Sequence, residues 1–280
     1  MSGFGPKPWI QQHWDWRAAA NFVFGGTGSG LILAAALVLP LGPARAVSLP
    51  LGLVLVGLGL TCVWLEIGRP WRALHVLINA RTSWMTREAY AGVVLYGVTI
   101  AAFFQPGDWM EIALGFFALL FAWCQAMILK ASKGIPAWRE PRVVPFILAT
   151  ALTEGAALAV VLALAYNVGN PWAYGLFALA LLARAAAWIA YVARVAPKLR
   201  GSPQEAISAV TPVLLWIGTF GALALAALAA ALPRHFALLL ALASAAAAIL
   251  TGWHAKRTIV TRASLNQGFA LPNLPTRGAR

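Results

Sequence analysis

The chain has 280 residues, 61% of them hydrophobic and only 10% charged, with a mean hydropathy of +0.77. Soluble domains carry about 25% charged residues, so this composition excludes a sizeable water-soluble domain, and soluble catalytic machinery must come from another chain. The formal net charge of +13 would suggest nucleic acid in a soluble protein, but in a membrane protein Lys and Arg collect in the cytoplasmic loops.

A spanning helix needs about 20 mostly apolar residues. Before the first such run, residues 1–17 hold Pro6, Pro8, Trp9, Trp14, Asp15 and Trp16 and no apolar stretch, so they read as an interfacial segment and not as a signal peptide. Eight runs follow, at roughly 18–41, 47–66, 88–105, 109–129, 143–167, 172–193, 207–231 and 235–253. Gly42-Pro43, Pro106-Gly107, Asn170-Pro171 and Pro233 punctuate the short joints. The expected fold is an all-α integral membrane protein of eight transmembrane helices, with residues 1–254 as the transmembrane domain and residues 255–280 as a basic tail.

With eight spans, 18 of the Lys and Arg residues fall on the side of both termini and only Arg45 and Arg234 on the other, while Arg184 lies inside the sixth run. By the positive-inside rule both termini are therefore expected in the cytoplasm. Tryptophans near the run ends read as an interfacial belt.

Polar residues inside or beside these runs carry the chemistry. Asn21 stands about one turn into the first helix, ahead of Gly26-Thr27-Gly28-Ser29-Gly30, whose small residues read first as a close-packing face. Glu66 closes the second run and Glu88 opens the third, with Thr86 a candidate cap. With His75 in the joint between them, they place titratable groups at one membrane edge, as proton-coupled chemistry on an amphiphilic substrate requires. Both glutamates also have plain structural readings, an ion pair with Arg69 or Arg72 for Glu66 and a helix-start signal for Glu88. Glu154 and Arg184 both reach the middle of the bilayer, where charges are costly and pair inside the bundle. An ion pair or water-linked contact between them is expected, as a structural lock or a proton path. A metal site is not indicated. The two cysteines, Cys62 and Cys124, lie in apolar runs with no CxxC, which excludes a Cys-ligated iron–sulfur cluster and covalent c-type haem in this chain. None of the four histidines, His13, His75, His235 and His254, lies in the interior of an expected span; the last two stand at opposite ends of the eighth, about 28 Å apart by helix rise, so intramembrane bis-His haem is not expected.

The stretch Glu66-x-Gly68-Arg69-Pro70-x-Arg72-Ala73, followed by Asn79-x-Arg81-Thr82-Ser83-Trp84-x-x-x-Glu88, resembles the helix 2–3 connection of the NrfD-like family, the membrane anchors of polysulfide reductases, DMSO reductases and related molybdenum enzymes. Ile135-Pro136-Ala137-Trp138 resembles that family's helix 4–5 connection, and the opening Gly5-Pro6-Lys7-Pro8-Trp9 looks most like anchors of phenylacetyl-CoA:acceptor oxidoreductases. The resemblance implies a chain that binds menaquinone or ubiquinone without haem. It also implies electron exchange with a ferredoxin-like four-cluster subunit joined to a molybdopterin subunit, in a bacterial or archaeal cytoplasmic membrane. By resemblance, Asn21 matches a polar position at the start of helix 1, and Glu88 matches a carboxylate of the DMSO-reductase anchor. Glu66 stands where that anchor has a quinone-linked histidine. The helix 4 tyrosine of polysulfide-reductase anchors is replaced near Cys124, between Trp123 and Gln125. Glu66, Glu88 and His75 are accordingly the expected proton-handling residues. Arg17, Asn21, Arg69, Arg81, Trp84 and Gln125 are the expected cofactor-positioning residues. The competing expectation is a secondary transporter with a midplane site at Glu154 and Arg184.

Overall fold

The computed structural model describes residues 7–66, 75 and 77–268. Eight long apolar helices dominate it: α1 Trp16–Val38, α2 Pro43–Glu66, α3 Trp84–Phe104, α4 Asp108–Lys130, α5 Val143–Ala165, α6 Pro171–Lys198, α7 Ser202–Ala231 and α8 Arg234–Arg262. One helical turn, Pro136–Arg139, bridges α4 and α5. The expected all-α membrane architecture is therefore the one observed. The basic stretch Arg69 to Arg72 and the residues after 268, including Arg277 and Arg280, lie outside the described residues.

Capping explains where several spans begin. The Asp15 carboxylate accepts from the Arg17 backbone N–H at 2.7 Å, satisfying a donor that the first turn of α1 leaves free. Ser83, not Thr86, caps α3 by accepting from Thr86 N at 3.3 Å. The helix thus starts four residues before the expected boundary at 88, and Glu88 is carried into its second turn. Pro43 and Pro171 occupy first-turn positions of α2 and α6, where proline's missing N–H costs nothing. The last helix runs to Arg262, beyond the expected end at 253, because Lys256, Ile259 and Val260 are buried against the bundle.

The helices pack as two sequential groups, α1–α4 and α5–α8, joined along a central seam of α1 and α5. A Cβ on Gly30 would collide with the Ala151 carbonyl, and one on Gly155 with the Gly30 backbone. The two helices cross at backbone contact, the packing face expected of Gly30. Large apolar side chains such as Val93, Phe104, Trp109, Leu179 and Leu239 face outward, the surface that a hydrocarbon solvent demands.

Outside the membrane-spanning helices, β1 (Trp9–Ile10) pairs antiparallel with β2 (Leu265–Asn266), Trp9 opposite Asn266. Gln11 Nε2 also donates to the Val260 carbonyl at 3.2 Å. This clasp holds the lead-in to α1 against the segment after α8, so both ends of the described chain lie at the same side of the bundle.

Candidate functional site

Three of the expected residues converge. Asn21 on α1, Glu88 on α3 and Gln125 on α4 are all buried, at 2%, 2% and 0% exposure. Asn21 Nδ2 donates to Glu88 Oε1 at 2.8 Å. Gln125 Nε2 donates to the Asn21 backbone carbonyl at 2.9 Å. That carbonyl is available because Asn21–Gly25 is wound as a π-helix, which loosens the ordinary backbone ladder; such segments frequently mark functional sites. Gly25 and Gly59 leave room for the cluster: a Cβ on Gly25 would strike the Gln125 amide, and one on Gly59 would sit 3.1 Å from Asn21 Oδ1. Asn21 Oδ1 and Gln125 Oε1 are buried acceptors without a donor among the described residues. Buried polar atoms are normally satisfied, so two orphans in one cluster point to a group that supplies hydrogen-bond donors.

Nearer the membrane edge, Arg17 binds Asp15 at 3.0 Å and donates to the Leu65 carbonyl at 2.9 Å, tying the start of α1 to the end of α2. The Arg17 guanidinium holds the Asp15 carboxyl below the usual carboxylate range. Glu66 is half-buried beside both Asp15 and Arg17, and its Oε1 also lacks a donor among the described residues. Trp84 packs edge-on against Trp123, ring centroids 5.0 Å apart, with the Arg87 guanidinium 4.2 Å above its ring. Arg87 in turn donates to the carbonyls of Ala80 and Arg81 at 2.9 and 2.8 Å, pinning the joint before α3. Arg81 contributes this carbonyl while its residue is exposed, and His75 is exposed as well. Neither belongs to the buried cluster, and Arg69 lies outside the described residues.

A second polar centre lies on the other side of α1. Glu154 pairs with Lys256, Oε2 to Nζ at 2.7 Å, both wholly buried. Of the expected ion pair or water-linked contact with Arg184, the direct ion pair does not form: Glu154 Oε1 and Arg184 Nε have no hydrogen-bond partner among the described residues, and Arg184 donates to the Ala248 and Gly218 carbonyls at 2.6 and 2.5 Å. The reason is local. Val213–Gly221 of α7 is a π-helix that offers Arg184 a carbonyl, and the extension of α8 brings a lysine to Glu154. Lys256 Nζ also donates to Phe22 O at 2.8 Å. Thr27 Oγ1 donates to Glu154 at 2.6 Å and accepts from Trp253 Nε1 at 3.0 Å. Lys256, Thr27 and Trp253 carried no site signal in the sequence. The only hint was that Thr258-Ile259-Val260 keeps an apolar character after the basic residues.

Eight long apolar spans, with one polar cluster near an edge and a second in the midplane, each holding buried atoms without a partner among the described residues, make this a multi-pass membrane protein. The chain belongs to the DMSO reductase anchor subunit (DmsC) family, whose pattern matches residues 22–254. It is also 33% identical over 159 residues to a sulfite dehydrogenase subunit of Allochromatium vinosum, covering 49% of this chain and 48% of that protein. The chain thus matches about half the length of this curated relative.

Proposed function

We propose that this chain is the quinone-reactive anchor of a multi-subunit molybdopterin and iron–sulfur oxidoreductase. It exchanges electrons between the membrane quinone pool and a ferredoxin-like four-cluster subunit. That partner docks on the face that carries the terminal clasp, the cytoplasmic face of a bacterial or archaeal membrane by the positive-inside rule. Membership of the DMSO reductase anchor family supports the anchor role.

The observation that carries the quinone site is the buried Glu88, held by Asn21 in a cluster that leaves Asn21 Oδ1 and Gln125 Oε1 without donors among the described residues. An unsatisfied acceptor there suits a hydroxyl of a reduced menaquinone or ubiquinone. Such a quinone, when bound, supplies two-electron, two-proton chemistry. Asn21 and Gln125 bind and orient it. Glu88 takes or gives a proton at its carboxylate, and Asn21 fixes the direction of that carboxylate. Glu66, half in water, exchanges protons with the cytoplasmic side, and exposed His75 serves the same edge. Arg17 keeps the ends of α1 and α2 together around Glu66. Trp84 and Arg81 border the entrance from the α2–α3 joint. A transport site at Glu154 and Arg184 is disfavoured by the lysine and backbone carbonyls that already engage those charges.

The test is Glu88→Gln in the assembled complex. The substitution keeps the shape and the acceptor for Asn21 but cannot exchange a proton. Quinone-coupled turnover is expected to fall about 100-fold, within the range of positioned proton-transfer groups, while the make-up of the complex and its co-extracted quinone stay unchanged. Undiminished turnover would overturn the assignment.

A further inference from the structure

A groove of about 490 Å³ runs between α1 and α8 at the end of the bundle that carries the clasp. Its volume lies within the roughly 300–1,000 Å³ of small-molecule sites. Trp16, Phe24, Leu250, Trp253, His254 and Arg257 are among its lining residues. Their arrangement is segregated. The deep part is apolar, with Phe24 and Leu250, and the one indole N–H facing that region, on Trp253, is already committed to Thr27 at 3.0 Å. The polar groups sit at the rim, on the last turns of α8. There Arg257 makes no ion pair or side-chain hydrogen bond among the described residues, and neither does His254. Arg262 lies near enough to act on His254 electrostatically. The nearest carboxylate on the lead-in, Asp15, is engaged by Arg17 at 3.0 Å. The rim therefore carries two arginines, Arg257 and Arg262, with no counter-charge from the described residues, beside a histidine that offers a hydrogen bond. Trp16 and Leu250 are 62% and 59% exposed, so the groove opens sideways toward lipid. From Trp16 to Phe24 it descends about 12 Å by helix rise, from the headgroup level into the hydrocarbon.

We propose that this groove binds one anionic phospholipid, its phosphate on Arg257 and His254 and an acyl chain along Phe24 and Leu250. A neutral quinone gains nothing from the unpaired cations and finds no free donor in the depth of the groove. An amphiphile with an apolar tail and an anionic head matches both halves. The bound chain covers Trp253, and behind Trp253 lie Thr27 and the Glu154–Lys256 pair, so the lipid also seals the α1–α8 seam over a buried ion pair.

The test is native mass spectrometry of the full chain in detergent, titrated with phosphatidylglycerol or phosphatidylcholine. One phosphatidylglycerol is expected to outlast all phosphatidylcholine. Arg257→Gln should weaken its retention about fivefold, the effect of removing one basic residue at a membrane surface. Arg257→Lys should restore it, and Arg200→Gln, an exposed arginine on the same side at the end of α6, should leave it unchanged. Equal retention of the two lipids, an equal loss in Arg200→Gln, or crosslinking of Arg257→Cys to a partner protein in place of lipid would each overturn the proposal.

Discussion

Lys256→Met isolates the buried charge pair. The wild-type ammonium and carboxylate are 2.7 Å apart and wholly inaccessible. The substitution keeps an unbranched apolar stem in the same space but leaves Glu154 without its cation, and the Phe22 carbonyl without the donor now at 2.8 Å. Removing one partner of a buried pair costs about 3–5 kcal/mol, whereas replacing both by groups of similar volume is often neutral. Lys256→Met and Glu154→Gln should each therefore destabilise by about 3 kcal/mol or more, and the double variant by much less than the sum. The resulting coupling energy should exceed about 2 kcal/mol. An ordinary interhelical hydrogen bond in a membrane protein couples by only about 0.6 kcal/mol, so the two descriptions are separable. Unfolding of the reconstituted chain in mixed micelles by increasing dodecyl sulfate, followed by tryptophan fluorescence, gives all four corners of the cycle. A coupling energy at or below the hydrogen-bond value would refute the view that the pair is a desolvated lock between α5 and α8.

Gly30→Ala should be the most damaging small substitution, costing at least the 1–3 kcal/mol or so of overpacking, because its methyl group collides with the Ala151 backbone, which cannot swing away; the same unfolding assay measures it. Asn21→Ala should lower quinone-coupled turnover about 10-fold or more without dissociating the complex, since it removes both the Glu88 anchor at 2.8 Å and an orphaned acceptor; steady-state assays with quinol analogues decide this. Trp253→Phe should cost only about 0.6 kcal/mol, because Thr27 keeps its bond to Glu154. Asp15 gives a pH dependence of known sign. Its carboxyl sits below the ordinary range because of Arg17, so its contribution to the α1 cap is complete above the unfolded carboxylate pKa and is lost as pH falls through the lower folded value. Asp15→Asn, which keeps a capping oxygen, should flatten this acid limb in thermal scans between about pH 5 and pH 3, values that bracket the ordinary Asp pKa of about 3.9.

The eight spans were legible because a run of apolar residues has no other stable use at this length. Asn21 and Glu88 were legible for the converse reason, since a polar group inside or beside such a run needs a partner, and Gln125 came from the family resemblance; that the three meet was not legible. The ends of the helices were not. Residues such as Ser83 and Thr86 differ too little in capping propensity for sequence to choose between them, and Lys256 stands in a stretch that reads as a basic tail until α5 supplies its counter-ion. The partner of Glu154 was equally hidden: a midplane carboxylate announces that it needs a cation, but Arg184 and Lys256 satisfy that demand equally well on paper. Only the π-helical carbonyl of Gly218, a tertiary detail, settles which one it takes.

The terminal clasp has a consequence for biogenesis. Gln11 and Val260, joined at 3.2 Å, are 249 residues apart in sequence. At a synthesis rate of about 5–20 residues per second, α1 waits roughly 12–50 s after emergence before its final partners exist. Within that interval Asn21 waits for Glu88 and Gln125, 67 and 104 residues later, and Thr27 waits for Glu154 and Trp253, 127 and 226 residues later. The first helix to be inserted is thus the last to be completed, and a ribosome that stops before α8 leaves behind a recognisably unfinished product, with Glu154 lacking its lysine and Gln11 lacking the Val260 carbonyl.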